Sequence, residues 1–109
     1  MARATARIAF RVISRFPASS RDVAFVVPAS LAGETLCRLA YDQHEVLLES
    51  VSIFDVYTGK NVPAGMKSLG LRFAYRSAER TLRDEEVNKA HNRIVKAMVE
   101  QTGAVIRGE

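Results

Sequence analysis

The side chains able to do covalent or acid–base chemistry in this 109-residue chain are few and scattered. Cys37 is the single cysteine, so neither an intrachain disulfide nor a cysteine-based metal cluster can form. It stands beside Leu36 with no histidine near it in sequence, the setting of an inert, half-buried thiol rather than of a nucleophile. His44 and His91 stand at no metal-ligand spacing and in no HExxH pattern. His91 belongs to the apolar stripe of a helical stretch, where a packed imidazole is expected. Asp84, Glu85 and Glu86 fall in the first turn of a predicted helix, where negative charge complements the helix dipole. Gly59 and Gly65 lie between two strand-like segments, not between a strand and a helix, so they do not read as a phosphate cradle. A catalytic site is not what these residues describe.

The polar residues that do form a pattern belong to a hairpin. Leu47 to Thr58 alternates, with Ser52, Phe54 and Val56 on one side and Ile53, Asp55 and Tyr57 on the other. Gly59, Pro63 and Gly65 mark a long turn. Lys67 to Arg76 then sets Leu69, Leu71, Phe73 and Tyr75 against Ser68, Gly70, Arg72, Ala74 and Arg76. Period-two alternation puts each set on its own face of a strand. Phe54, Val56, Leu69, Leu71 and Phe73 are therefore expected in a core, with Asp55, Tyr57 and Ser68 together on the opposite face.

The remaining elements must cover the apolar side of that hairpin. Arg21 to Val27, ending at Pro28, is β-branched and aromatic and reads as a strand, with Val23, Phe25 and Val27 on one face. Leu31 to Gln43 reads as a short amphipathic helix with Ser30 as its cap and Ala32, Leu36, Leu39 and Ala40 as its stripe. Thr81 or Asp84 is placed to cap a second helix whose buried stripe is Val87, Ala90, His91, Ile94 and Met98, and Gly103 is its stop signal. Ala104 to Arg107 reads as a short last strand. Arg7 to Phe16 alternates as an extended or strand segment before Pro17, which suggests a lead-in over residues 1–16 and a domain over 17–109.

Length allows one domain with one core. No run reaches the roughly 18–20 apolar residues of a membrane helix, and the Arg-rich N-terminus lacks the apolar centre of a signal peptide. A transit peptide is the weaker reading of that N-terminus, and the single cysteine fits a reducing, cytoplasmic setting. Formal net charge is +4, and Arg3, Arg7, Arg11, Arg15 and Arg21 all precede the first acid, Asp22. That balance tilts toward polyanionic partners.

Strand, helix, strand, strand, helix, strand is the order of a ferredoxin-like α+β fold (βαββαβ). It gives a four-stranded antiparallel sheet with both helices on one face. The other face stays open, and alternation sends Ala24, Asp55, Tyr57, Ser68, Arg72, Arg76 and Arg107 to it. An aromatic ring, hydrogen-bonding groups and cations on an open sheet suit single-stranded RNA, whose bases can stack on the ring while arginines meet phosphates. The same residues also suit a merely solvated sheet, and paired exposed aromatics of an RNA-recognition motif are not evident. An acylphosphatase-like enzyme of this fold would carry a phosphate-binding arginine in the loop after the first strand; VVPASLAG has none.

RFPASSRDVAFVV, LLESVSIFDVYTG, VPAGMKSLGLRF and RTLRDEEVN together resemble, in order and from about Arg15 to Arg107, the ferredoxin-fold anticodon-binding domain at the C-terminus of phenylalanyl-tRNA synthetase β subunits. The resemblance implies a module that grips the anticodon stem-loop of phenylalanine tRNA. Asp55, Tyr57 and Ser68 match the family positions that meet the first anticodon base, and Arg107 matches an arginine of the last strand. Tyr57 would stack on a base, Asp55 and Ser68 would read a guanine edge, and Arg72, Arg76 and Arg107 would hold phosphates or stack. The resemblance also implies that aminoacylation, with its ATP and magnesium, happens elsewhere in a longer β subunit and its α-subunit partner, with no cofactor in this domain. The wording FDVYTGKNVPAGMKSLG favours a bacterial two-subunit parent over an organellar single-chain one. The competing expectation is an interdomain packing module whose RNA contact is incidental.

Overall fold

Alternation along the strands builds a layer of apolar side chains that two helices cover. The computed structural model describes residues 16–107; the strand expected over Arg7 to Phe16 and the lead-in over residues 1–16 lie outside them, Phe16 apart. The elements are β1 (Ser19–Pro28), α1 (Gly33–Tyr41), β2 (Leu48–Tyr57), β3 (Met66–Tyr75), α2 (Asp84–Thr102) and β4 (Val105–Arg107). The four strands form one sheet in the order β2-β3-β1-β4, and every neighbouring pair is antiparallel. Each helical crossover passes over one intervening strand. This is the ferredoxin-like α+β arrangement expected from the order of elements.

The core lies between the sheet and the helices. Val23, Phe25 and Val27 of β1 and Leu69, Leu71, Phe73 and Tyr75 of β3 supply its sheet side. Leu36 and Ala40 of α1 and Val87, Ala90, Ile94, Val95 and Met98 of α2 supply the other side. Both central strands thus present every second residue to the helices, and burial of these chains is the main stabilising term.

Both helices start differently from expectation. Ser30 does not cap α1: the backbone turns at Pro28–Leu31 (Leu31 N–H to Pro28 O, 2.9 Å), and Ala32 is the N-cap, without a side-chain bond. The turn delays the helix to Gly33, and it ends at Tyr41 rather than Gln43. Neither Thr81 nor Asp84 caps α2. The N-cap is Arg83, whose N–H donates to the Glu86 carboxylate three residues on (2.9 Å), satisfying a backbone donor that the helix leaves free. Gly103 ends α2 in the left-handed conformation (φ 73°), its N–H bonded to Val99 O at 2.8 Å. Thr102 Oγ1 donates to Met98 O at 2.7 Å and accepts from Ala104 N at 3.0 Å, which ties the helix end to the start of β4.

The expectation that Phe54 and Val56 join the core is wrong. Ile53 pairs with Leu71 but Asp55 pairs with Gly70, so β2 bulges at Phe54 and carries one residue more than β3 over this stretch. A bulge residue shifts the side-chain phase of all that follows. Asp55 and Tyr57 keep to the open face opposite Gly70 and Ser68, while Phe54 joins them there, 49% exposed. Val56 opposes Leu69 yet is 62% exposed, since it lies on an edge strand beyond the helices' cover. Phe25 and Phe73 are fully buried and Ile106 packs partly against the core, whereas Phe54 does not.

Candidate nucleic-acid interface

Cross-strand register lays the open face out in rows. Tyr57, Ser68, Val26 and Val105 form one row across β2, β3, β1 and β4. Asp55, Gly70, Ala24 and Arg107 form the next, then Ser52, Arg72 and Asp22. Residues opposite one another in an antiparallel pair stand about 4.5–5.5 Å apart at Cβ, so each row is a line of touching or nearly touching groups.

The first two rows hold one cluster. The Arg107 guanidinium lies 5.3 Å from the Tyr57 ring centre, within the range of a cation–π contact, and its Nη1 points at Ser68 Oγ, 3.4 Å away. Ser68 is only 1% exposed although it faces away from the helices, and its row neighbour Val26 is likewise buried without joining the helix-side core. The Tyr57 and Arg107 side chains form a low wall around this spot. Asp55 is exposed and has no ion-pair partner among the described residues. An aromatic face, a hydroxyl and a free carboxylate within two rows can stack on a planar base and accept from its N–H edge.

The other two expected cations are committed elsewhere. Arg72 makes a two-pronged bond with Asp22, directly opposite on β1: Nε to Oδ1 is 2.8 Å and Nη2 to Oδ2 is 2.9 Å. That hydrogen bond is the main cause that holds the Asp22 carboxyl below its usual range. The same guanidinium lies 4.7 Å over the Phe54 ring. Arg76 follows the end of β3, eight residues or about 26 Å along the strand from Ser68. It ion-pairs with Glu49 (3.0 Å) and donates Nη1 to Phe16 O at 2.9 Å. So the structure brings Asp55, Tyr57, Ser68 and Arg107 together, sets Arg72 beside them with Phe54, and leaves Arg76 at the far end.

Sequence reasoning missed Phe54 as an open-face residue. SIFDVY is compatible with either phase, and only pairing with β3 reveals the bulge. It also missed that Asp22 occupies the Arg72 fork; the signal was an acid on β1 in register with a cation on β3.

Charge on this face is balanced rather than basic: Asp22 and Asp55 offset Arg72 and Arg107. Over residues 16–107 the sequence has twelve Lys and Arg against eleven Asp and Glu, so most of the surplus comes from Arg3, Arg7, Arg11 and Arg15. The hollows lined by Arg80, Arg83 and Lys89, and by Glu45, Asn92 and Lys96, run along α2 behind the sheet. Cys37 is half-buried, and desolvation, helped by Glu34, raises its thiol pKa, the opposite of what a thiolate nucleophile needs. Among the described residues no group of three or more His, Cys, Asp or Glu could hold a metal ion, and no helix is long and apolar enough to cross a membrane.

A ferredoxin-like sheet with one face covered by helices and the other left open, carrying two arginine–aromatic pairs, is the class of domain this chain forms. The sequence matches the model of the ferredoxin-fold anticodon binding domain over residues 14–107, and the chain belongs to that family. It is similar to phenylalanine–tRNA ligase β subunits: 49% identical over 100 residues to that of Syntrophus aciditrophicus, covering 92% of this chain and 12% of the relative. To the β subunit of Syntrophotalea carbinolica it is 45% identical over 98 residues (90% and 12%), and to that of Shouchella clausii 45% over 103 residues (94% and 13%). The chain thus spans about an eighth of the length of these relatives.

Proposed function

We propose that this domain binds the anticodon stem-loop of phenylalanine tRNA through its open sheet face, as one part of a phenylalanine–tRNA ligase β subunit. The observation that carries the reading is the cluster of Tyr57, Arg107, Ser68 and Asp55 in adjacent rows of that face. Tyr57 stacks on an unpaired base of the loop. Asp55 accepts from the base's N–H groups, and Ser68 becomes available as Arg107 swings from it toward the RNA backbone. Activation of phenylalanine with ATP and magnesium, and its transfer to tRNA, belong to other parts of the ligase, including an α subunit. A cytoplasmic setting follows from that role.

The test is titration of the 109-residue chain with an RNA hairpin carrying the phenylalanine anticodon. Base–aromatic stacking contributes roughly 1–3 kcal/mol, so Tyr57→Ala should weaken binding at least about fivefold, with circular dichroism unchanged. A folded Tyr57→Ala chain that binds like the parent would overturn the assignment.

A second reading, packing of this domain on another part of the ligase, is favoured by the exposure of Val46 (89%) and Val56 (62%) near the β2 edge. It predicts that chemical-shift changes on adding the hairpin spare Asp55 to Tyr57.

A further inference from the structure

We infer that Arg72, clamped by Asp22 onto the Phe54 ring, is a second base-stacking platform on the open face, for an unpaired nucleobase of the same RNA loop that meets Tyr57. The inference rests on the RNA-binding reading above and adds to it a second place where a base is held. Three features of the geometry carry it.

The bulge brings a second ring to the face, so that two aromatic–arginine pairs stand there: Phe54 with Arg72 at 4.7 Å and Tyr57 with Arg107 at 5.3 Å. They are three residues apart on β2, about 10 Å along the strand, on one continuous surface. Next, the guanidinium is held in place before any ligand arrives. Both oxygens of Asp22 bind it, at 2.8 and 2.9 Å, and a paired fork fixes the plane of the group as well as its position. Arg72 remains 51% exposed while its guanidinium carbon lies over Phe54, so half of the side chain is still open to a flat partner. Finally, the Asp22 carboxylate occupies the Nε/Nη2 edge of the guanidinium and offsets its charge, which weakens its pull on a phosphate. What is left is a planar surface and the outer Nη1/Nη2 donors of a charge-compensated group, which suit a base stacked on the plane, with polar atoms at its rim, better than a phosphate.

Substitutions that separate plane from charge test this. Arg72→Lys keeps the cation and loses the plane; it should weaken binding of the phenylalanine anticodon hairpin about three- to tenfold. The slope of log K against log salt should stay the same, because no phosphate contact is lost. Phe54→Leu should produce a similar loss, and the double variant should lose little more than either single one, since both act on one stack. A 2-aminopurine placed at successive loop positions should be quenched by the chain at a position where Arg72→Lys relieves the quenching. Unchanged affinity in Arg72→Lys, with Tyr57→Ala still weakened, overturns the platform and leaves the RNA-binding reading standing. A salt slope that becomes shallower by nearly one unit in Arg72→Ala, with Arg72→Lys binding as the parent does, makes Arg72 a phosphate contact and also overturns it. If Tyr57→Ala binds as the parent does, the underlying reading fails first. Arg72→Lys alters only exposed contacts, the Asp22 ion pair and the Phe54 face, so its fold is retained for these comparisons.

Discussion

Tyr75 Oη and His91 Nδ1 lie 2.7 Å apart at the end of β3, joining that strand to α2 inside the core. His91 is 8% exposed and also packs edge-on against Phe73, with ring centres 4.9 Å apart and planes at 79°. Burial lowers the His91 pKa to about 4, with the nearby Arg21 charge adding to the effect, and burial raises that of Tyr75. Both groups are therefore neutral at pH 7. The phenol donates to Nδ1 when the imidazole proton sits on Nε2, and the histidine acts as a core residue with one satisfied polar atom.

Stability should consequently fall with acid in a defined window. The unfolded imidazole titrates near 6.5 and the folded one near 4, so between these values the unfolded chain binds more protons and unfolding becomes easier as pH drops. The contribution is fully present above about pH 6.5 and is lost progressively toward pH 4. Its size is on the order of 2–3 kcal/mol. Urea denaturation at pH 7 and pH 4.5 should show the loss, and His91→Gln should remove most of the difference between the two pH values. An equal acid loss in both chains would assign the effect to carboxylates.

The parts of this fold that could be read from sequence are those where one local rule acts alone. Leu69, Leu71, Phe73 and Tyr75 alternate without interruption and all lie in the core. Val87, Ala90, His91, Ile94 and Met98 recur at helical spacing and are all buried on α2. Asp55, Tyr57 and Ser68 could be grouped because their strands are consecutive and each alternates up to the same turn. The bulge at Phe54 could not be read, since an extra residue changes phase only relative to a partner strand, and SIFDVY is apolar in both phases. Ser68 read as an exposed hydroxyl; Tyr57 and Arg107, from two other strands, enclose it. The Asp22–Arg72 pair spans fifty residues of sequence and depends on β1 and β3 being neighbours, which is a property of topology.

Gly103 should matter to stability and to the placement of Arg107. Its φ of 73° lies in the left-handed region, and nothing within 4 Å would obstruct a methyl group. The cost of Gly103→Ala is therefore conformational alone, about 1–2 kcal/mol. Thermal or urea unfolding should show that loss as a lower midpoint with an unchanged denaturant slope. Because β4 is three residues long and starts two residues later, hydrogen exchange of Val105 to Arg107 should accelerate more than exchange in β3. Uniform acceleration across the sheet would mean that Gly103 serves global stability only.

Gly70 sits in the middle of the open face, opposite Ala24 on one side and Asp55 on the other. A Cβ there would come within 3.0 Å of Phe54 Cζ and 3.2 Å of Asp55 Cβ. The glycine thus leaves room for the Phe54 ring to lie across the sheet beneath Arg72. In Gly70→Ala two effects oppose each other. Removing a glycine from a strand interior stabilises by roughly 0.5–1 kcal/mol, while crowding the ring and the β2 backbone costs a comparable amount. The half-exposed ring can swing outward, so unfolding free energy should stay within about 1 kcal/mol of the parent. The displaced ring no longer lies under the guanidinium, and the ring-current shifts of the Arg72 side-chain protons should shrink. Affinity for the anticodon hairpin should then drop as in Phe54→Leu despite the unchanged stability. Retained Arg72 shifts would show that the stack tolerates a methyl group at this position and that the glycine is not what admits the ring.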